Sequence, residues 1–93
     1  MSNRVAINKE VSVTAVYFRG QQRGGLKSFP KRMEYQGQEY TFMESGLRFL
    51  VQKGQQLVQI FDMTDGEANY RLKCDGDRQW TLVGISETPR IFA

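Results

Sequence analysis

Histidine is absent from this chain, and Cys74 is its only cysteine. Ser-His and Cys-His nucleophilic pairs are therefore excluded, as are zinc, copper and iron sites built from several imidazoles or thiolates. A single cysteine also rules out an intramolecular disulfide, which favours a reducing compartment. Cys74 falls near the apolar face of a predicted strand, so we interpret it as an inert thiol. The sequence predicts no catalytic residue, no metal site and no cofactor, and hence a protein that is not an enzyme.

Carboxylates are present, but their spacing matches no known site. Glu34 and Glu39 fall opposite each other on the polar face of a predicted hairpin, where solvated side chains are expected rather than a general acid and base. The acidic residues from Asp62 to Asp77 lack the spacing of an EF-hand calcium loop. Turn formation explains the two Asp-Gly dipeptides among them.

Long apolar runs are also missing. Lys9 and Glu10 interrupt the N-terminus before the apolar core of a signal peptide, about 7 to 15 residues long, is complete. No segment approaches the roughly 20 apolar residues of a membrane-spanning helix. These absences favour a soluble, cytoplasmic protein without a membrane partner.

The pattern that is present is that of short strands. No helical apolar period is sustained, and six or seven alternating runs are separated by turn residues. This indicates an all-β fold, a single small antiparallel domain of six or seven strands, arranged as a partly closed barrel or a strongly bent sheet. We assign residues 1–10 to a flexible N-terminal lead-in, residues 11–85 to the β domain and residues 86–93 to a C-terminal tail. Val5 and Ile7 offer an alternative in which the first strand begins earlier.

The clearest local signal is a hairpin over residues 29–42. A two-residue turn at Gln36-Gly37 aligns two alternating runs so that one face is apolar and the other is polar and charged. A slip of one residue would mix the two faces, which sets the register. The predicted cross-strand pairs are Tyr35 with Gln38, Met33 with Tyr40, and Lys31 with Phe42.

Further strands follow at hairpin spacing. The run from Leu47 to Gln52 alternates only in part, whereas the run from Leu57 to Met63 is apolar on both faces, as is typical of a central strand. The predicted pairs are Phe61 with Tyr70 and Met63 with Ala68 around a two-residue Asp65-Gly66 turn, then Leu72 with Trp80 and Tyr70 with Leu82 around an odd-length loop at residues 75–77.

Positive charge is concentrated near the N-terminus. Residues 1–32 hold seven Lys or Arg and one Glu, a net charge of +6, whereas residues 33–93 hold six basic and nine acidic residues, a net charge of −3. Residues 19–29 contain three glycines, which predicts an exposed loop or a frayed hairpin end, and the basic segment from Arg19 to Arg32 contains no acidic residue. Its candidate nucleic-acid-binding residues are Arg19, Arg23, Lys27, Lys31 and Arg32.

Two functions are consistent with these features. The first is a non-enzymatic small β binding module that contacts the backbone of single-stranded DNA or RNA through the basic, Gly-rich segment, with bordering aromatics available to stack bases. The alternative is a protein-interaction or assembly module that uses an exposed strand edge to bind a protein partner or a second copy, as a homodimer. The basic segment also has a non-functional interpretation, as a solvated loop whose charges aid solubility.

A set of strand and turn residues gives the chain a family resemblance. They are Pro30-Lys31-Arg32, Tyr35, Gly37, Tyr40, Tyr70-Arg71-Leu72, Trp80-Thr81-Leu82 and Ile85. Over residues 30–85, about 60% of the chain, this order resembles a small all-β bacterial domain of unknown function that is similar to β modules appended to error-prone, Y-family-polymerase-like proteins. The resemblance implies a β fold, a soluble bacterial setting and an association with DNA transactions, and it carries over no catalytic residue.

Overall fold

Seven strands form one antiparallel sheet in the computed structural model, which describes residues 4–21, 25–75 and 79–87. The strands are β1 (Arg4–Gln21), β2 (Gly25–Tyr35), β3 (Gln38–Thr41), β4 (Leu47–Lys53), β5 (Gln56–Thr64), β6 (Ala68–Cys74) and β7 (Trp80–Glu87). The predicted all-β antiparallel fold is confirmed. The strand order is β3-β2-β1-β7-β6-β5-β4, so β3 and β4 are edges and the sheet is not closed into a barrel. None of the described residues belongs to a helix that is long and apolar enough to cross a membrane.

The long first strand changes partner halfway along. Residues 4–11 of β1 pair with β7, and residues 12–21 pair with β2. The register shifts near Asn8, whose φ is 54°, and again between Val13 and Val16. Irregularities of this kind bend a strand and increase its twist. β1 therefore belongs to both halves of the sheet, β3-β2-β1 and β1-β7-β6-β5-β4. Its bend makes the two halves face each other.

The predicted flexible lead-in is wrong for residues 4–10, which form the first part of β1. Val5 lies opposite Ile85, so this segment supplies the backbone partner that β7 needs on one side. The alternative in which the first strand begins earlier, with Val5 and Ile7, is confirmed, although the polar run Asn8-Lys9-Glu10 interrupts the apolar alternation at the register shift. At the other end, Ser86 and Glu87 belong to β7 rather than to a tail, while residues 1–3 and 88–93 lie outside the described part of the chain.

The core lies between the two halves of the bent sheet. β2 and β5 are separated by three strands in the sheet order, yet the rings of Phe29 and Phe61 meet edge to face with centroids 5.7 Å apart. Phe42 and Tyr70 make a similar contact across the core at 5.1 Å. The strongly bent sheet is therefore the observed arrangement. The buried cluster consists of Val11, Tyr17, Phe29, Met33, Phe42, Phe61, Met63, Tyr70, Leu72, Cys74 and Leu82.

The first hairpin has the register predicted from its sequence. Gln36 and Gly37 have φ angles of 53° and 77°, the consecutive left-handed conformations of a type I′ turn. The observed pairs include Tyr35 with Gln38 and Met33 with Tyr40, and the N–H of Phe42 donates to the carbonyl of Lys31 at 2.8 Å.

The turn between β5 and β6 lies one residue later than predicted. Its central residues are Gly66 and Glu67, and the N–H of Asp65 donates to the carbonyl of Ala68 at 3.2 Å. The Asp65 carboxylate accepts hydrogen bonds from the N–H groups of Glu67 and Ala68, each at 2.8 Å, which favours this turn. Each observed cross-strand partner on β6 lies two residues beyond the predicted one. Because side chains return to the same face every two residues, each side chain keeps its predicted face. The observed pairs are Phe61 with Leu72 and Met63 with Tyr70, in place of Phe61 with Tyr70 and Met63 with Ala68.

A similar shift occurs between β6 and β7. The N–H of Asp75 donates to the carbonyl of Gln79 at 3.2 Å, so the connection has an odd length, as predicted, although residues 76–78 lie outside the described residues. A further register shift lies between Arg71 and Leu72. Leu72 consequently pairs with Leu82 instead of Trp80, and Tyr70 pairs with Ile85 instead of Leu82.

The segment between β3 and β4 links the two halves of the sheet by hydrogen bonds. The N–H of Met43 donates to the carbonyl of Thr64 at the end of β5, at 2.7 Å. The N–H of Gly46 donates to the hydroxyl of Tyr17 at 3.4 Å, and the guanidinium of Arg19 donates to the Gly46 carbonyl at 2.8 Å. These bonds join β1 and β5 through the chain that leads into β4.

Replacing Gly46 with alanine is expected to lower the free energy of unfolding by about 1–3 kcal/mol, the usual cost of overpacking a core. A Cβ at this position would overlap the thioether of Met63, which is 1% exposed, and would lie 3.2 Å from the carbonyl oxygen of Asp62. Urea unfolding followed by Trp80 fluorescence measures the loss. Gly20→Ala is the matched control, because its Cβ would meet only Leu26, at 4.0 Å. Equal stabilities of the two variants would contradict the close packing at Gly46.

Candidate functional site

The two edges of the sheet differ in length and chemistry. β3 has four residues, QEYT, with Glu39 exposed in its middle. β4 has seven residues, LRFLVQK, and pairs with β5 at every position without a register shift. In the part of the chain that the structure describes, no strand pairs with the other side of β4. β4 is therefore the longer, regular and open edge.

Apolar side chains of β4 point to both faces of the sheet. Phe49 and Val51 share one face with their cross-strand partners on β5, Ile60 and Val58, while Leu50 points to the opposite face. Phe49 and Val51 are each 43% exposed and Leu50 is 56% exposed, so the core of this chain leaves much of their surface uncovered. We define the β4 edge patch as Leu47, Phe49, Leu50, Val51 and the neighbouring Leu57.

The patch adjoins a depression of about 400 Å³, lined by Phe49, Leu50, Val51, Ile60 and Arg71. Arg71 closes one side of it by donating to both carboxylate oxygens of Asp62, at 2.7 and 2.8 Å, and these hydrogen bonds raise the pKa of Arg71. The depression is thus apolar along β4 and polar along β6.

The charges of β4 itself do little to block its edge. Arg48 donates from Nε to the side-chain oxygen of Gln59 on β5, at 2.9 Å, and is turned away from the open side. Lys53 is the last residue of the strand. Charged side chains near the middle of an edge strand, prolines and bulges are the usual means of preventing strand addition, and the centre of β4 has none of them.

The basic residues predicted as a nucleic-acid site lie on two strands rather than in one loop. Arg19 and Lys27 are cross-strand partners at the paired ends of β1 and β2, so the predicted exposed loop or frayed hairpin end is wrong for the described residues 19–21 and 25–29, which are strand. Lys31 and Arg32 lie farther along β2. Arg23 lies outside the described residues. The structure therefore pairs Arg19 with Lys27, places the Nζ of Lys31 6.0 Å from the centroid of the Tyr17 ring, and sets Arg32 opposite Ala15 of β1.

Two of these cations take part in the fold. Besides its bond to Gly46, the guanidinium of Arg19 lies 4.4 Å from the centroid of the Phe29 ring, a cation–π contact. The Nζ of Lys31 forms an ion pair with Glu44 at 3.0 Å. Within the described residues, the side chains of Lys27 and Arg32 form no hydrogen bond or ion pair. The freely available charge of the basic segment is therefore smaller than its composition indicates.

No group of three or more His, Cys, Asp or Glu side chains within the described ranges is placed to hold a metal ion. Glu34 and Glu39 are cross-strand partners, as predicted, and both are exposed. Cys74 is 6% exposed and belongs to the core cluster. The positions of these side chains fit solvated carboxylates and a structural thiol.

The β4 edge patch was missed by sequence reasoning, which assigned no site to residues 47–52. The signal was available in the run Leu-Arg-Phe-Leu-Val, which places apolar residues on both faces of one strand. A central strand buries side chains on both faces, whereas an edge strand of a small domain does not. Only the strand order identifies β4 as an edge, and strand order depends on contacts that are distant in sequence.

Comparison with family models, with curated proteins and with solved structures found no match. The resemblance to the bacterial β domain therefore stays a prediction.

Asp65 and Tyr70 form a hydrogen-bonded pair at the turn that follows β5. The Tyr70 hydroxyl donates to the Asp65 carboxylate at 2.7 Å. Burial alone would raise the pKa of Asp65, but hydrogen bonds from Tyr70 and from the N–H groups of Ala68 and Glu67 outweigh it and hold that pKa below its ordinary value. Burial, followed by the hydrogen bond to Asp65, raises the pKa of Tyr70.

Replacing Asp65 with asparagine is expected to destabilise the protein at neutral pH by about 1 kcal/mol, the difference between hydrogen bonds to a charged and to a neutral acceptor. Because the folded-state pKa of Asp65 is depressed, its stabilising effect is complete above the unfolded pKa of about 3.9 and is lost as the pH falls through the lower folded value. The difference between wild type and variant should therefore shrink below about pH 4. Urea unfolding at several pH values tests this.

Tyr70→Phe removes the hydroxyl donor and keeps the ring, so it should reproduce part of the pH dependence of the Asp65 variant. A stability difference for Asp65→Asn that is unchanged in acid would show that the carboxylate charge has no such role.

Proposed function

We propose that this protein is a non-enzymatic interaction module that binds an extended segment of another polypeptide chain along the open edge of β4. The observation that carries the proposal is a seven-residue edge strand with exposed apolar side chains on both of its faces. Long, regular and apolar edges of this kind pair readily with further strands.

Strand addition at β4 uses backbone and side chains together. In an antiparallel sheet, successive residues direct their N–H and C=O groups alternately to the two neighbouring strands, so part of the β4 backbone points away from β5. An added strand satisfies these groups. Its side chains contact Phe49 and Val51 on one face of the sheet and Leu50 on the other. The apolar contacts make this mode of binding insensitive to salt.

Leu50→Lys is expected to abolish partner capture, because it places a charge in the middle of the edge. Leu26→Lys is the matched control: Leu26 is 70% exposed and lies on β2, away from β4. Immobilised wild type and both variants are exposed to an extract of cells that express the protein, with the untagged chain added as a further candidate. Wild type and the control should retain a common protein through a high-salt wash, and Leu50→Lys should lose it. Identical recovery on all three surfaces would contradict strand addition at β4.

A second candidate function is contact with single-stranded nucleic acid through Arg19, Arg23, Lys27, Lys31 and Arg32. One observation favours it beyond the charge itself. Phe18 of β1 is 63% exposed, on the face of the strand opposite to Arg19, and a base is able to stack on its ring. The engagement of Arg19 and Lys31 within the fold makes this proposal the weaker of the two.

Nucleic-acid binding predicts a strong salt dependence. Fluorescence anisotropy of labelled single-stranded and duplex oligonucleotides should give saturable binding at about 50 mM salt and a loss of affinity by orders of magnitude at about 200 mM. Reversing charge at Lys27 and Arg32 should weaken binding, as should Phe18→Ala, whereas Lys53→Glu, on the opposite edge of the sheet, should have a smaller effect. No binding at the lower salt concentration would exclude this function.

A further inference from the structure

The sequence of β4 is complementary to itself. When two antiparallel copies of the strand are centred on Leu50, all seven residues are paired. Phe49 then lies opposite Val51 of the second copy on one face of the sheet, and Leu50 lies opposite Leu50 on the other. At the ends of the strand, Arg48 faces Gln52 and Leu47 faces Lys53. No two like charges are opposed in this register.

Other registers are less favourable. Side chains alternate along a strand, so a slip of one residue would bring the Leu50 face of one copy onto the same side of the sheet as the Phe49 face of the other. It would also bring Arg48 opposite Lys53 in one of the two directions of slip, and directly opposed like charges are destabilising. A slip of two residues preserves the faces but leaves only about five of the residues paired.

The charge of this half of the molecule also permits close approach of two copies. Although the chain as a whole carries a net charge of +3, residues 44–75 contain four basic and five acidic side chains. Of the described basic residues near β4, Arg19 donates to the Gly46 carbonyl beside Leu47, and Lys31 is paired with Glu44. Electrostatic repulsion between copies is therefore weak where the β4 strands would meet.

We infer that the occupant of the β4 edge is a second copy of this chain, paired antiparallel through β4 in the register centred on Leu50. This inference rests on the proposed strand addition and specifies its partner. The two seven-stranded sheets then form one continuous sheet related by a two-fold axis. Each copy covers the exposed Leu50, Phe49 and Val51 of the other.

Sedimentation equilibrium of the wild-type protein at micromolar concentrations should give a dimer. Leu50→Lys should weaken the dimer at least about tenfold, because it replaces the central contact of two leucines by two opposed positive charges. Leu26→Lys, which adds the same charge on β2, should leave the affinity within about twofold of wild type. These measurements need no assumption about the partner beyond the chain itself.

Cross-linking tests the register. In a Cys74→Ala background, Leu50→Cys should form an intermolecular disulfide on mild oxidation, because directly opposed residues have Cβ atoms about 4.5–5.5 Å apart. Leu57→Cys is the control: Leu57 is 59% exposed, close to the 56% of Leu50, and shares its face. In the proposed dimer the two copies of residue 57 are at least three strand spacings apart, about 14 Å, which is too far for a disulfide.

The outcomes separate the dimer from the broader function. A monomeric wild-type protein would overturn the inference, as would a dimer in which residue 57 cross-links as efficiently as residue 50. A monomeric wild-type protein that retains a different protein in the capture experiment, sensitive to Leu50→Lys, would leave strand addition supported and the second copy excluded. If the wild-type protein neither self-associates nor captures a partner, both the inference and the proposed function are overturned.

Discussion

The packing of Phe29 against Phe61 is the contact on which the fold depends. Their rings come from strands that three others separate in the sheet, so the contact exists only because the sheet bends. β1 makes the bend by pairing first with β7 and then with β2. The bend encloses a core that a flat sheet of this length would leave open on one face. The strand order leaves β3 and β4 as the two edges, and so sets where another chain is able to bind.

The same bend changes the role of the basic residues. Arg19 lies over Phe29 and donates to Gly46, and Lys31 pairs with Glu44, so both side chains stabilise the junction between β2 and the segment leading into β4. An isolated basic loop would hold these charges free for phosphate. In the folded protein they are partly neutralised or covered, and a ligand would have to compete with existing partners. This is why charge composition alone overstates the case for nucleic acid.

The parts of the fold that were predictable are those determined by neighbouring residues. The Gln36-Gly37 turn and its register follow from alternation on both sides of a single dipeptide. The turn between β5 and β6 lies one residue later than predicted, because the Asp65 carboxylate accepts hydrogen bonds from the N–H groups of Glu67 and Ala68. Strand alternation does not reveal this preference. The first part of β1 and the open edge at β4 depend on pairing between distant segments. No local pattern contains that information, so the open edge was not predicted, and the earlier start of β1 was offered only as an alternative.

The contrast between the two edges argues that β4 is open for a reason. β3 is short and carries an exposed Glu39, features that discourage pairing with another sheet. β4 lacks such features, although replacing one exposed leucine by lysine would supply them without disturbing the core. Its apolar residues are 43 to 58% exposed and contribute little to the stability of the single chain. In water they are a liability, since exposed apolar strands promote aggregation. A binding partner that covers both faces of the edge would remove this exposed apolar surface from water, so the same residues that favour aggregation would favour specific binding.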